Sequence, residues 1–322
     1  MRRWLSTTRL NTLSSTPYSI VASELESLRN SLFHLLGSSH PHLTQIAEYY
    51  FLHPSKQLRP LVVLLFARAV NGLGSDWPRK QWEANQSRGR ADELNRPLSR
   101  PDVLNDWNPR IPEHTRSFQT PFSFSQPSQS SLFAAPHVPP LFPVHSPRLA
   151  HVILPTQSRL AQIVEMIHVA SLLHDDVLDL SSLRRGQPSA PAQFGNKLSI
   201  LAGDFMLGRA SAALSRLGES EVVELISGVI TNLVEGELLQ LRETHAPHTI
   251  EGISISPSTS TSNPDRWNIY LKKSYLKTAS LMAKSARASV ILGGAKENEI
   301  WKDVAYAYGR NLGIAFQVIA HS

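Results

Sequence analysis

The sequence predicts an all-α fold, and three observations carry the prediction. Apolar residues recur at the i, i+3/i+4 spacing of a helix face over most of the chain, as in Leu25, Leu28, Leu32, Leu35 and Leu36. No stretch shows the sustained apolar–polar alternation of a strand. The periodic segments are separated by breaks rich in Gly, Pro or Ser.

The elements follow in order. Glu24 to Ala69 is helical with interruptions. Gly37-Ser38-Ser39 breaks the first helix, Leu43–Leu52 forms a second, and Pro60 stands near the start of a third over Leu61–Val70. Residues 72–155 hold 13 of the 22 prolines with much Ser, Asn, Gln and Arg, and are expected to be a disordered insertion. From Ser158 the stripe Leu160, Ile163, Ile167, Ala170 and Leu173 restores the helical period. Ser199–Leu217 and Glu219–Arg242 are two further helices. Residues 245–265 read as a second, shorter insertion, followed by helices over Trp267–Leu292 and Lys296–Ile319.

Composition narrows the function. The chain of 322 residues has no cysteine, which excludes a disulfide scaffold, a thiolate zinc site and a thiol nucleophile. Its net charge of +6 suits a polyanionic ligand, whether nucleic acid, an anionic membrane surface or a diphosphate. No helix-turn-helix, zinc or aromatic–basic platform favours nucleic acid. No apolar run approaches the roughly 18 residues of a membrane span. Residues 1–23 contain no Asp or Glu but hold Arg2, Arg3 and Arg9 among many Ser and Thr, the composition of a mitochondrial transit peptide.

The chemistry concentrates at His174-Asp175-Asp176-Val177-Leu178-Asp179. Asp175 and Asp179 lie one turn apart on one helix face, with Asp176 adjoining. Like charges at that spacing repel, and Mg2+ bridging to substrate phosphates is a natural counter-charge. The apolar approach Val169–Leu173 sets these acids at the end of a buried helix. Arg184-Arg185-Gly186 follows closely. Those guanidinium groups either bind phosphate or pair back onto the acids. Lys56 and Arg59 flank a helix start, where free N–H groups favour anions. Lys277-Thr278-Ala279 supplies a third basic group.

Together these segments resemble the trans-polyprenyl diphosphate synthase family. The resemblance runs through Lys56-Gln57-Leu58-Arg59-Pro60, Glu165–Asp179, Arg184-Arg185-Gly186, Gly203-Asp204-Phe205, Glu235-Gly236-Glu237 with Gln240, Lys277-Thr278-Ala279 and Gly313–Gln317. It is similar above all to the mitochondrial long-chain, hexaprenyl- or decaprenyl-type synthases of ubiquinone biosynthesis, in their fungal form. The resemblance implies an isoprenoid-synthase helical bundle around a central cavity, one synthase domain over residues 24–322 interrupted by the two insertions. It also implies a reaction in which an allylic diphosphate ionises with Mg2+ help, isopentenyl diphosphate attacks and a proton is lost. Asp175, Asp176 and Asp179 would hold Mg2+, and with Lys277 they form the implied catalytic set. Arg184 would bind the allylic diphosphate. Lys56, Arg59, His168 and Arg185 would bind isopentenyl diphosphate, and Lys277, Thr278 and Gln317 would line the allylic site. The small Ala170 and Ser171 imply a long product, hexaprenyl or longer. A homodimer or heteromer follows from the family, as does contact with a membrane surface through the greasy product.

The sequence departs from the family in one place. The second aspartate-rich motif expected just after Phe316-Gln317 is replaced by Val318-Ile319-Ala320-His321-Ser322. The expectation is a bundle incomplete at its C-terminus, and a 322-residue chain with little turnover by itself although its full-length parent is a synthase. The alternative is a non-catalytic regulatory subunit of a heteromeric synthase.

Overall fold

A computed structural model of the chain describes residues 16–36, 38, 40–52, 55, 57–85, 94–95, 98, 152–244 and 263–320. These form a helical bundle. In chain order the helices are α1 (Pro17–Ile20), α2 (Ala22–Leu35), α3 (Pro41–Leu52), α4 (Leu58–Val70), α5 (Trp77–Asn85) and α6 (Pro155–Leu178). A hairpin of two-residue strands follows, β1 (Leu183–Arg184) paired antiparallel with β2 (Gln187–Pro188). Then come α7 (Ala190–Phe194), α8 (Asn196–Ser215), α9 (Ser220–Thr244), α10 (Asn263–Ser274), a π-helical turn (Tyr275–Ala279), α11 (Ser280–Leu292) and α12 (Ile300–Ala320).

The organising element is α6. Leu160, Ala161, Ile163, Val164, Met166, Ile167, Ala170 and Leu173 are all buried, and they point in every direction around the axis. A helix apolar all round belongs at the centre of a bundle. It packs on α8, α4, α11 and α2, so its C-terminal end is where the surrounding helices can bring side chains together.

Close approach elsewhere depends on small residues. A Cβ at Gly313 of α12 would lie 2.5 Å from the Ala279 Cα, and one at Gly236 of α9 would lie 2.7 Å from the Lys277 Cγ. Both α9 and α12 therefore rest directly on the π-helical turn. Ser280, Ala283, Ala286 and Ser289 are buried along α11, which packs on α9 and α12.

A buried polar knot ties α4, α6 and α11 at the far end of α6. The Asn71 amide donates to the Val152 carbonyl (2.7 Å) and to Gln157 Oε1 (2.9 Å). Gln157 Nε2 donates to Asn71 Oδ1 (2.8 Å) and to the Ser289 carbonyl (2.9 Å), and Leu154 N–H donates to Gln157 Oε1 (2.9 Å). Every polar atom of the pair is thereby satisfied, as a buried amide requires.

Three boundaries differ from the sequence expectation. The expected insertion over 72–155 contains α5, with Trp77 and Lys80 buried, because Lys80 pairs with Glu219 and Trp77 packs into the bundle. The remainder of that insertion lies largely outside the described residues, as do residues 245–262 of the second. The expected leader over 1–23 overlaps α1 and α2, since Val21 is fully buried in the core; residues 1–15 lie outside the described residues. The expected helix over Trp267–Leu292 is broken by the π-helical turn.

Gln157→Leu leaves Asn71 Oδ1 and Leu154 N–H without the partner that Gln157 supplies, and removes one of two donors to the Ser289 carbonyl. It is expected to cost about 1–3 kcal/mol of stability. Chemical denaturation reads this as a lower midpoint at unchanged slope; an unchanged midpoint contradicts the assignment.

Candidate active site

The last turn of α6 carries the three carboxylates, and the helix sends them in different directions. Consecutive residues are about 100° apart on a helix, so Asp176 cannot share the face of Asp175 and Asp179. Asp176 is fully buried. It accepts from the Tyr50 hydroxyl and from Arg184, whose Nε lies 2.6 Å from Oδ1. Asp175 is half-buried and Asp179 is exposed at the C-cap. Burial pushes the Asp175 carboxyl up to about 6; Lys277 opposes the rise, while Glu237 and Asp179 add to it. The unpaired carbonyls at a helix C-terminus add negative potential, which favours a cation there.

The β1–β2 hairpin carries Arg184 and Arg185. Its turn needs two positive backbone angles, φ 53° at Arg185 and 76° at Gly186. Glycine takes such a conformation freely, whereas for arginine it is uncommon. Ser189 N–H donates to the Ser182 carbonyl (3.0 Å), and the Tyr49 hydroxyl donates to the Pro188 carbonyl (3.0 Å). The hairpin is thus held against α3.

Beside it lies a cavity of about 340 Å3, lined by Gln57, Arg59, Glu165, His168, Arg185, Met282 and other residues. Arg59 Nη1 donates to His168 Nε2 at 2.8 Å. Burial, reinforced by Arg59, Arg185 and Arg184, holds His168 well below its ordinary value, so it is neutral and accepts through Nε2. Burial lowers Arg59 to about 10, which leaves it charged at neutral pH. Its Nε is buried without a partner. Glu165 is buried, and burial raises its carboxyl against the pull of Arg59 and Arg185. Gln57 enters α4 with φ 44°, a second strained angle at this cavity.

Near the Asp175–Asp179 end of α6 stand residues of α9 and the π-helical turn. Lys277 Nζ lies 2.6 Å from Glu237 Oε2 and donates to Gln240 Oε1 at 2.7 Å. Gln240 Nε2 in turn donates to Asp179 Oδ1 at 3.3 Å. Thr278 Oγ1 donates to Gln317 Oε1 on α12 at 3.3 Å. Wide turns of this kind recur at functional sites because they re-aim side chains.

The structure therefore brings Asp175, Asp179 and Lys277 to one end of the bundle, and Arg59, His168 and Arg185 to the adjoining cavity. Thr278 and Gln317 meet each other. Lys56 lies outside the described residues. Two expectations change. Asp176 is turned away from the other two acids, and Arg184 pairs back onto it, the salt-bridge alternative that its sequence left open. Of the three aspartates expected to hold metal, Asp176 is engaged on both oxygens by Tyr50 and Arg184, so Asp175 and Asp179 are the two that would hold it. Among the described residues, no three His, Asp or Glu side chains converge closely enough to cage a metal. Two carboxylates still fit Mg2+, which is commonly held by one or two acids plus substrate phosphates. Glu237 adds a buried Oε1 with no partner close by.

Tyr50, Glu165 and Glu237 were not candidates from sequence reasoning. Glu165 and Glu237 lie inside segments already singled out, each three residues, about one turn, before a named residue, His168 and Gln240. Tyr50 sits 126 residues from Asp176, and no local pattern reports that contact.

Comparison with known proteins gives a consistent result. The polyprenyl synthetase family model matches residues 147–320. The probable mitochondrial hexaprenyl pyrophosphate synthase of Yarrowia lipolytica is 43% identical over 94% of this chain and 61% of its own length. Decaprenyl-diphosphate synthase subunit 1 of Schizosaccharomyces pombe is 35% identical over 97% of this chain and 65% of its own. The chain thus spans less than two thirds of either relative. A decaprenyl diphosphate synthase from Rhodobacter capsulatus shares the fold with a TM-score of 0.58 at 23% identity, covering 95% of this chain and 64% of that structure.

Asp175 supplies a pH test. Its carboxyl is raised in the folded chain, so the proton stays on at pH values where the unfolded chain has lost it. The penalty for the charged form is fully present above pH 6 and fades as pH falls toward 4. Without metal, Asp175→Asn is expected to gain about 1–2 kcal/mol at pH 8, with the gain shrinking toward pH 4. Thermal denaturation across that range checks it; a gain independent of pH contradicts it.

Proposed function

Because the chain belongs to the polyprenyl synthetase family, we propose that it carries the substrate-binding core of a prenyltransferase that joins isopentenyl diphosphate to an allylic diphosphate and builds a long-chain all-trans polyprenyl diphosphate. The observation that supports this most is the juxtaposition of two anion sites. Asp175 lies within electrostatic reach of Lys277 and Asp179 is linked to it through Gln240 at the end of α6, and Arg59, His168 and Arg185 ring the adjoining cavity. One metal-assisted diphosphate site beside one metal-free diphosphate site suits a two-substrate condensation.

The residues divide the work. Asp175 and Asp179 would hold Mg2+, which supplies the positive charge that lets diphosphate depart. Lys277, fixed by Glu237 and Gln240, offers its third N–H to the allylic diphosphate. The Arg184 edge not engaged by Asp176 does the same. Arg59 and Arg185 bind the isopentenyl diphosphate, and neutral His168 fixes the Arg59 guanidinium without adding charge. These groups are in place before charge develops, which is where electrostatic stabilisation acts.

The growing tail would run along α6 toward its N-terminus. Ser171 is half-buried there, its hydroxyl bonded to the His168 carbonyl at 2.8 Å, while Ala170 is fully buried. The product would serve as the ubiquinone side chain in the mitochondrion, a setting supported by the relative from Yarrowia and by the acid-free N-terminal segment. A homodimer or heteromer suits the large apolar side chains that α8 and α9 leave exposed, Ile200, Leu201, Val234 and Leu238. No helix among the described residues is long and apolar enough to cross a membrane.

The test is Mg2+-dependent incorporation of labelled isopentenyl diphosphate into polyprenyl product by the protein as isolated from its natural source. Asp175→Asn is expected to reduce the rate by a factor of about 10²–10³. Ser171→Phe is expected to shorten the product by chromatography while leaving the first condensation. Unchanged product length for Ser171→Phe, and likewise for Ala170→Phe, contradicts the tail path. Turnover indifferent to Mg2+ contradicts the reading as a whole.

A further inference from the structure

The buried Asp176 carboxylate raises a question that its neighbours answer. It adjoins Asp175, the acid proposed to hold metal, yet points about 100° away from it around the helix, toward Tyr50 of α3 and Arg184 of the hairpin. Tyr50 of α3 holds it there. The Tyr50 hydroxyl donates to Asp176 Oδ2 and accepts the Ala190 N–H, the first of α7, at 2.9 Å. Burial and the adjacent carboxylate both push the phenol up from its ordinary value, so it keeps its proton and acts as the donor. With Oδ2 committed to tyrosine, Oδ1 takes both Nε and Nη2 of Arg184.

The consequence falls on Arg184. A guanidinium carries five donors in a fixed plane, so fastening one edge orients the other. Arg184 lines a cleft with Tyr50, His168 and Arg185, and its side chain keeps 26% of its surface accessible.

We propose that Tyr50 is a positioning residue for diphosphate binding, acting through Asp176 to aim the free edge of Arg184. It withdraws Asp176 from the metal set and makes it the arginine's anchor. The proposal rests on the diphosphate-site reading above and adds to it a residue on a different helix. Asp176 is then needed as an acceptor for arginine, and Tyr50 is needed to set the angle of that acceptor.

Two measurements on the 322-residue chain test this. The first is hydrogen exchange of the Arg184 Nε–H, followed by nitrogen NMR without any ligand. Tyr50→Phe keeps the ring and removes one oxygen, and is expected to speed this exchange about tenfold or more. Asp176→Asn is expected to do so at least as strongly, and serves if the tyrosine variant does not fold. Unchanged exchange in a folded Tyr50→Phe chain, or in Asp176→Asn, overturns the proposal. The second is calorimetric binding of inorganic diphosphate with Mg2+. Tyr50→Phe is expected to weaken it about tenfold in the native background and less than about twofold in Arg184→Lys, where no guanidinium remains to be aimed. An equal loss in both backgrounds means that Tyr50 only supports the fold, and overturns the positioning role. A native chain that binds no magnesium diphosphate sinks the functional reading, and the exchange measurement then decides the Tyr50–Arg184 link by itself.

Discussion

Three carboxylates fall within five residues at the end of a helix whose body is buried on every side, and each must find a counter-charge, a hydrogen-bond donor or a proton. Much of the surrounding structure answers that demand. Asp176, fully buried, takes Arg184 and Tyr50, and this bond fixes the hairpin on α3. Asp179, at the exposed C-cap, takes Gln240 of α9. Asp175 is penalised in its charged form by burial and by the repulsion of Glu237 and Asp179, which the longer-range attraction of Lys277 and Arg184 does not offset. A divalent cation would relieve that penalty directly, and the proposed metal position is therefore the pair Asp175–Asp179 and not the triplet.

The adjoining cavity poses the opposite problem. Arg59 and Arg185 crowd a half-buried space in which the buried acid is Glu165. His168 stays neutral because burial penalises its charged form and Arg59, Arg185 and Arg184 would repel it. Arg59 keeps a buried Nε with no partner, a cost of roughly 1–3 kcal/mol for an unmade bond to such a group. An incoming diphosphate would offset that cost. One end of α6 therefore presents a site short of positive charge next to a site short of negative charge. Under the proposed function, two diphosphates, one carried with metal and one without, would satisfy both.

The helical stripes were plain in the sequence because burial on one face leaves a period of about 3.6 residues. Asp175, Asp179, Arg59, His168, Arg185 and Lys277 were legible because their residue types cluster in short segments. Other features lay beyond local pattern. The turn of Asp176 away from Asp175 follows from helix geometry, yet its partner Tyr50 comes from a different helix far away in the chain. The hairpin at Arg184 is two residues per strand, too short for any alternation to register. The π-helical turn depends on Gly236 and Gly313 letting α9 and α12 press onto Leu276–Ala279, a tertiary constraint with no periodic trace. Helix α5 hides in proline-rich sequence because its anchor, Lys80 to Glu219, is again a long-range pair.

The most direct test of this account uses Mn2+ as a spectroscopic stand-in for Mg2+. Electron paramagnetic resonance would follow Mn2+ bound to the chain, and phosphorus NMR would follow broadening of added inorganic diphosphate. The account predicts Mn2+ binding that strengthens with diphosphate, persists in Asp176→Asn, and is lost when Asp175 and Asp179 are both changed to Asn. Binding that survives the Asp175/Asp179 double substitution, or that vanishes with Asp176→Asn alone, would contradict it.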